Sequence, residues 1–126
     1  MVVLGKLVIP MRIFPKPRPR LGKYGNFYTP KDGREDILEG LMKKFALENR
    51  LKPLTCDLRV DCIYVCQCKK RPCDKDNADK TIGDCGEGIL WKNDRQIADG
   101  RTRFVTSADR DSIEITIQEV RPGASD

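Results

Sequence analysis

Residues 73–80 read CDKDNADK, three aspartates and two lysines in eight positions of a 126-residue chain whose net charge is +5. Carboxylates at this density either complement a helix N-terminus or hold a hard cation. The chain has no histidine. That excludes Ser-His-Asp chemistry, imidazole acid–base catalysis and histidine-ligated metals. Catalysis is left to carboxylates, lysine, cysteine or a metal ion.

Placed on a helix over 76–86, Asp76, Lys80 and Asp84 follow at i, i+4 and i+8 on one side. Ala78, Ile82, Cys85 and, beyond the glycines, Ile89 gather near the other, so the apolar side can dock on a sheet. Asp74 stands just before this helix. A second acidic position, Asp94 in LWKNDRQI, follows the large anchor Trp91 and precedes a predicted strand. Helix capping accounts for Asp74 and Asp76 but not for the Lys80–Asp84 row. Carboxylates without histidine suit Mg²⁺ or Mn²⁺. An EF-hand counted from Asp74 fails, because Ala78, Asp79 and Cys85 occupy positions five, six and twelve. A metal held here would turn an acidic patch into a local positive centre for a phosphate and lower the pKa of a water. Lys80 would then stabilise charge on phosphorus.

Basic residues supply the rest of that logic. Lys6, Arg12, Lys16, Arg18, Arg20, Lys23 and Lys31 all precede the first acidic residue, Asp32. Such a block favours a polyanion, or it is a solubilising arm. Lys16, Arg18 and Arg20 alternate with Pro15, Pro17 and Pro19 in the basic, proline-rich segment 10–30, an extended strip edged by Tyr24, Phe27 and Tyr28. Lys69, Lys70 and Arg71 form a basic turn just before the aspartates and join the candidate DNA contacts.

The elements that must position these groups read as a small α/β (α+β) fold. MVVLGKLVIP is a first strand ending at Pro10. Thr29 and Pro30 open a helix whose apolar stripe is Ile37, Leu38, Leu41, Met42 and Phe45, stopped by Pro53. LRVDCIYVC is a strand with Leu58, Val60, Cys62, Tyr64 and Cys66 on one face. RQIADGRTRFV and SIEITIQEV are two more strands, which TSADRD is expected to join as an antiparallel hairpin. One domain over 1–126 with a loose tail, 121–126, is expected. No apolar run is long enough for a membrane span and no secretory leader is evident, so a cytoplasmic, nucleoid-associated protein is expected.

The six cysteines, Cys56, Cys62, Cys66, Cys68, Cys73 and Cys85, lack paired CxxC knuckles. Cys62 and Cys66, four residues apart on a strand, are too separated for one tetrahedral zinc. A reducing compartment argues against a disulfide framework, leaving unpaired thiols packed as small hydrophobes.

The combination DKDNADK…GDCGEGILWKNDRQI, with IPMRIFPKPRPR and YTP upstream, resembles the RusA family of Holliday junction resolvases. The likeness runs from about Ile9 to Val120. It implies a small mixed sheet flanked by two helices, a homodimer with one Mg²⁺ site per subunit (Mn²⁺ as a substitute), and paired symmetric nicks in four-way DNA junctions, in a host or phage context. By the same resemblance Asp74, Asp76 and Asp94 are metal-binding catalytic acids and Lys80 serves the scissile phosphate. Asn77 and Asp84 stand behind them. Lys75, Asp79 and Asn93 depart from the family pattern. A DNA-binding protein without cleavage and a zinc-stabilised domain are the competing readings.

Overall fold

The computed structural model describes residues 2–16, 20–28 and 33–120. Its main sheet has five strands: β1 (Val2–Ile9), β4 (Leu58–Cys66), β5 (Ile97–Asp99), β6 (Thr102–Thr106) and β7 (Ser112–Glu119). A separate two-stranded hairpin pairs β2 (Arg20–Leu21) with β3 (Phe27–Tyr28). Two helices complete the α+β fold, α1 (Gly33–Glu48) and α2 (Lys75–Gly86). Thr29, Pro30, Asp32, Arg18 and the tail 121–126 lie outside the described residues. No helix among the described residues is long and apolar enough to cross a membrane.

β4 is the centre of the sheet. β7 pairs antiparallel along one edge, and β5 and then β6 pair parallel along the other. β1 closes the far side, antiparallel to β7. Period-two alternation turns every second residue of each strand to one face. The pairing register then stacks them in rows: Ile9, Ile113, Tyr64 and Phe104, then Leu7, Ile115, Cys62 and Thr102. Leu58, Tyr64, Ile113, Ile115 and Ile117 are completely buried.

Both helices contribute to the core. Leu38, Met42 and Ala46 of α1 and Ala78, Ile82 and Cys85 of α2 are buried in the cluster that contains these rows. The expected α1 stripe is corrected at one position, Ile37, which is 57% exposed. At 100° per residue it falls to the rim beside Leu38. The helix also stops earlier than Pro53. Asn49 donates its side-chain amide to Phe45 O (2.9 Å). Arg50 adopts φ 53° while Leu51 N–H reaches Ala46 O and Arg50 N–H reaches Leu47 O. This is a Schellman stop, made here without glycine.

A second correction concerns the last strands. RQIADGRTRFV is broken into β5 and β6 at Gly100, whose position leaves no room for a Cβ, since one would lie 2.1 Å from Val60 O. β6 and β7 do not form a hairpin, because β4 lies between them. The loop 107–111 crosses the end of β4, where Ser107 N–H donates to Cys66 O (2.9 Å) and Gln67 N–H donates to Asp111 Oδ1 (2.9 Å). β4 is apolar enough to be central, and a central strand needs partners on both edges.

The cysteines divide. Cys56, Cys62, Cys73 and Cys85 are unpaired, as expected, but Cys66 and Cys68 are joined by a disulfide. Their Cα atoms lie 5.2 Å apart where the chain turns off β4, within disulfide reach. Burial pushes the Cys62 thiol up to about 12, and the Cys85 thiol likewise to about 12. At pH 8 a thiol with that pKa is a thiolate in about one molecule in 10,000. Iodoacetamide at pH 8 is therefore expected to spare Cys62 and Cys85 in the native protein and to modify both in urea, read by peptide mass spectrometry. Rapid native modification of either would mean that the packing around α2 opens readily.

Candidate active site

α2 begins where the chain returns from the C-terminal end of β4 through the basic turn. Asp74 is its N-cap: the backbone is extended (φ −75°, ψ 168°), and its Oδ1 accepts the Asn77 N–H at 2.8 Å. This satisfies one of the helix's unpaired amides. Asp76 lies in the first turn and Lys80 one turn later. Both are exposed, with no hydrogen-bond or ion-pair partner among the described residues. The buried Thr81 hydroxyl lies 3.0 Å from Phe14 O and 3.1 Å from Asn77 O and shares its one proton between them, tying the helix to the proline-rich segment.

Asp79 has a different role from its neighbours. Its Oδ1 accepts Tyr64 OH at 3.0 Å, and Thr102 Oγ1 approaches both carboxylate oxygens at 2.7 and 2.8 Å. Lys75 Nζ donates to Oδ2 at 3.3 Å. Asp79 thus clamps α2 to β4 and β6, and the sequence reading missed this. Its i+4 spacing from Lys75 was the available signal. Burial above all, with the Asp79 carboxylate beside it, holds the Tyr64 hydroxyl in its protonated form.

Asp94 is positioned by the segment after α2. The Trp91 ring is completely buried, and its Nε1 donates to Gly83 O at 2.9 Å. A Cβ on Gly86 would lie 2.4 Å from Trp91 Cζ2, so only glycine lets the ring approach the helix. A 3₁₀ turn follows at Asp94–Gln96, with a capping box between Asn93 and Gln96. Gln96 Nε2 donates to Leu54 O (2.7 Å) and Cys56 O (2.9 Å), pinning the turn to the segment before β4. Glu87, not singled out from the sequence, accepts the Asp94 N–H at 3.2 Å.

The result is a row rather than a cluster. A Cβ on Gly83 would lie 3.5 Å from Asp94 Cβ, so Asp94 backs onto α2 at Gly83. Gly83 shares its helix stripe with Asp76 and Lys80 and sits seven residues beyond Asp76, about 10 Å along the axis. Asp94 thus joins the stripe of Asp76 and Lys80, with Lys80 between the two acids. Among the described residues, no three His, Cys, Asp or Glu side chains stand close enough together to hold a metal. The donor chemistry still suits Mg²⁺, which is commonly bound through one or two carboxylates with water and substrate phosphate completing the shell.

The other expected residues lie around this row. Asp84 is half-buried and accepts a charged hydrogen bond from Lys16 Nζ, fastening the proline-rich segment to α2. That bond raises the Lys16 pKa against the opposing effect of burial. Arg20 is in β2, its side chain outside the description. Lys69, Lys70 and Arg71 line a cavity of about 190 Å³ with Tyr64 and Phe104, and the Arg71 guanidinium lies 4.7 Å from the Phe104 ring centroid. The basic turn and the acidic start of α2 are thus consecutive in the chain beyond the end of β4.

A family model described as endodeoxyribonuclease RusA matches residues 10–118, most of the chain. No curated protein gives a significant match. The matched span includes Asp74, Asp76, Lys80, Trp91, Asp94 and Gln96, and both ends of every tie that braces them. The chain belongs to the RusA family of endodeoxyribonucleases.

Proposed function

We propose that the protein is a Mg²⁺-dependent endodeoxyribonuclease that resolves four-way DNA junctions as a homodimer, placing paired symmetric nicks. One observation carries this reading within a family of DNA endonucleases. Asp76 and Lys80 are exposed on one stripe of α2 and the exposed Asp94 backs onto the same stripe at Gly83, whereas the neighbouring Asp79 and Asp84 are both tied up. Exposed, unpaired charges held by a well-braced frame are what a phosphodiester site requires. Asp74 and Asp76, two residues apart at the start of α2, would hold the Mg²⁺ with water and substrate phosphate completing its shell, and Asp94 would face the same phosphate from beyond Lys80. When bound it would supply a positive centre that offsets phosphate charge and acidifies water. Lys80 would donate to the phosphate between the acids. Lys69, Lys70 and Arg71 would hold flanking phosphates and set the register of the DNA.

The test is strand cleavage of a synthetic four-way junction beside linear duplex of the same sequence, in Mg²⁺ and in EDTA. Paired nicks confined to the junction and dependent on Mg²⁺ are expected. Because the three aspartates do not gather into one cluster within the chain, a second reading is a junction-binding protein without cleavage. Tight binding with no cuts in Mg²⁺ or Mn²⁺ would select it.

A further inference from the structure

The β2–β3 hairpin leaves its apolar side chains in water. Leu21, Tyr24, Phe27 and Tyr28 are 66%, 87%, 78% and 52% exposed. Leu21 pairs directly across from Phe27, and the turn between them closes with Gly25 N–H donating to Gly22 O at 3.1 Å. Gly25 takes φ +81°, next to Tyr24 at the tip. The same chain buries Trp91, Tyr64 and Phe14 completely. The hairpin rings are therefore not needed by the core, and an exposed apolar patch of this kind marks a surface with a partner.

Charge selects the partner. Arg18 leads into the hairpin and Arg20 and Lys23 lie within it, Lys16 being already bonded to Asp84, and no acidic residue precedes Asp32. A second copy of the chain would bring an equally cationic segment and be repelled, whereas a polyanion is attracted. Aromatic rings set in a basic strip match nucleobases: cations track the phosphates while rings stack on base faces. In paired duplex those faces are covered by neighbouring bases. Unpaired strands and open branch points expose them.

We infer that the β2–β3 hairpin is a stacking platform for unpaired DNA bases, with Tyr24 and Phe27 supplying the rings. The inference deepens the proposed function by naming what the protein recognises at a branch. It rests on that reading only for the branch being the target. Binding is measured with the full chain in EDTA, so cleavage plays no part. The probes are a single-stranded oligonucleotide carrying 2-aminopurine, which is quenched on stacking, and a fully paired duplex of equal length.

The wild-type chain is expected to quench the probe. A Tyr24→Ser, Phe27→Ser double variant is expected to lose the quenching and about tenfold or more in single-strand affinity, while duplex affinity stays within about threefold. Tyr24→Phe with Phe27→Tyr keeps both rings and is expected to restore both signals. Far-UV melting checks the fold, with Phe27→Ser alone as the milder variant. Unchanged quenching and affinity in the serine variants would overturn the inference. So would equal losses on both DNAs with a fall in sedimentation mass, which would assign the rings to contact between copies. Failure of the nuclease reading would appear separately, as junctions left uncut by the wild-type chain in Mg²⁺.

Discussion

Replacing Asp76 with Asn is expected to lower Mg²⁺-supported cleavage of a four-way junction by about 1,000-fold, the scale lost when one charge-stabilising group leaves a reacting centre. Junction affinity in EDTA is expected to hold or to tighten. Asp76 is exposed and unpartnered among the described residues, so the amide breaks no native bond. Its structural cost is the weaker complement to the helix macrodipole, about 0.3–1 kcal/mol. Removing a negative charge from a surface that meets phosphate also relieves repulsion, so weaker binding is not expected. Single-turnover cleavage of a labelled junction and a band-shift titration give the two readings. Retained cleavage would reduce Asp76 to a carboxylate that serves only the helix N-terminus. Asp79→Asn is the contrasting control. It disturbs the bonds to Tyr64 and Thr102 and should lower thermal stability first, with activity following stability.

That contrast marks where the sequence could be read and where it could not. α2 was legible because an N-cap aspartate and an apolar stripe are local signals, and the observed helix runs Lys75–Gly86. β4 was legible because its alternation needs no partner to be seen. Which carboxylates remain exposed was not legible. Asp76 and Asp79 are both aspartates of one helix, and besides the i+4 Lys75 it is Tyr64 and Thr102, brought from two strands, that distinguish them. The Lys16–Asp84 pair spans 68 positions of the chain and follows no spacing rule. β6 and β7, expected to pair through their short connection, are separated by β4. A loop of that length can close a hairpin or cross one strand, and only the pairing demand of β4 decides. By propensity alone Gly83 and Gly86 weaken a helix. In the fold they are where Asp94 and Trp91 approach the helix.

Trp91→Ala is expected to cost about 3–5 kcal/mol of folding free energy, the usual range for emptying a buried aromatic site. Its ring fills the space over Gly86, and its indole N–H donates to the Gly83 carbonyl. Truncation leaves a cavity together with a carbonyl that loses that bond, and helix ends already hold unpaired carbonyls. Against a total of about 5–15 kcal/mol for a typical domain, such a loss leaves a large unfolded fraction or none of the margin. Urea unfolding followed by far-UV ellipticity measures it, since this variant removes the chain's one tryptophan. Trp91→Phe separates the two contributions: it keeps most of the packing and gives up the N–H bond, with an expected loss of about 1–2 kcal/mol. Asp94 links stability to the site, because Trp91 anchors the segment that lays Asp94 against Gly83. Trp91→Phe is therefore expected to remain folded yet cleave more slowly than its stability accounts for. Cleavage at the wild-type rate would show that the Gln96 bonds to Leu54 and Cys56 hold Asp94 in place by themselves.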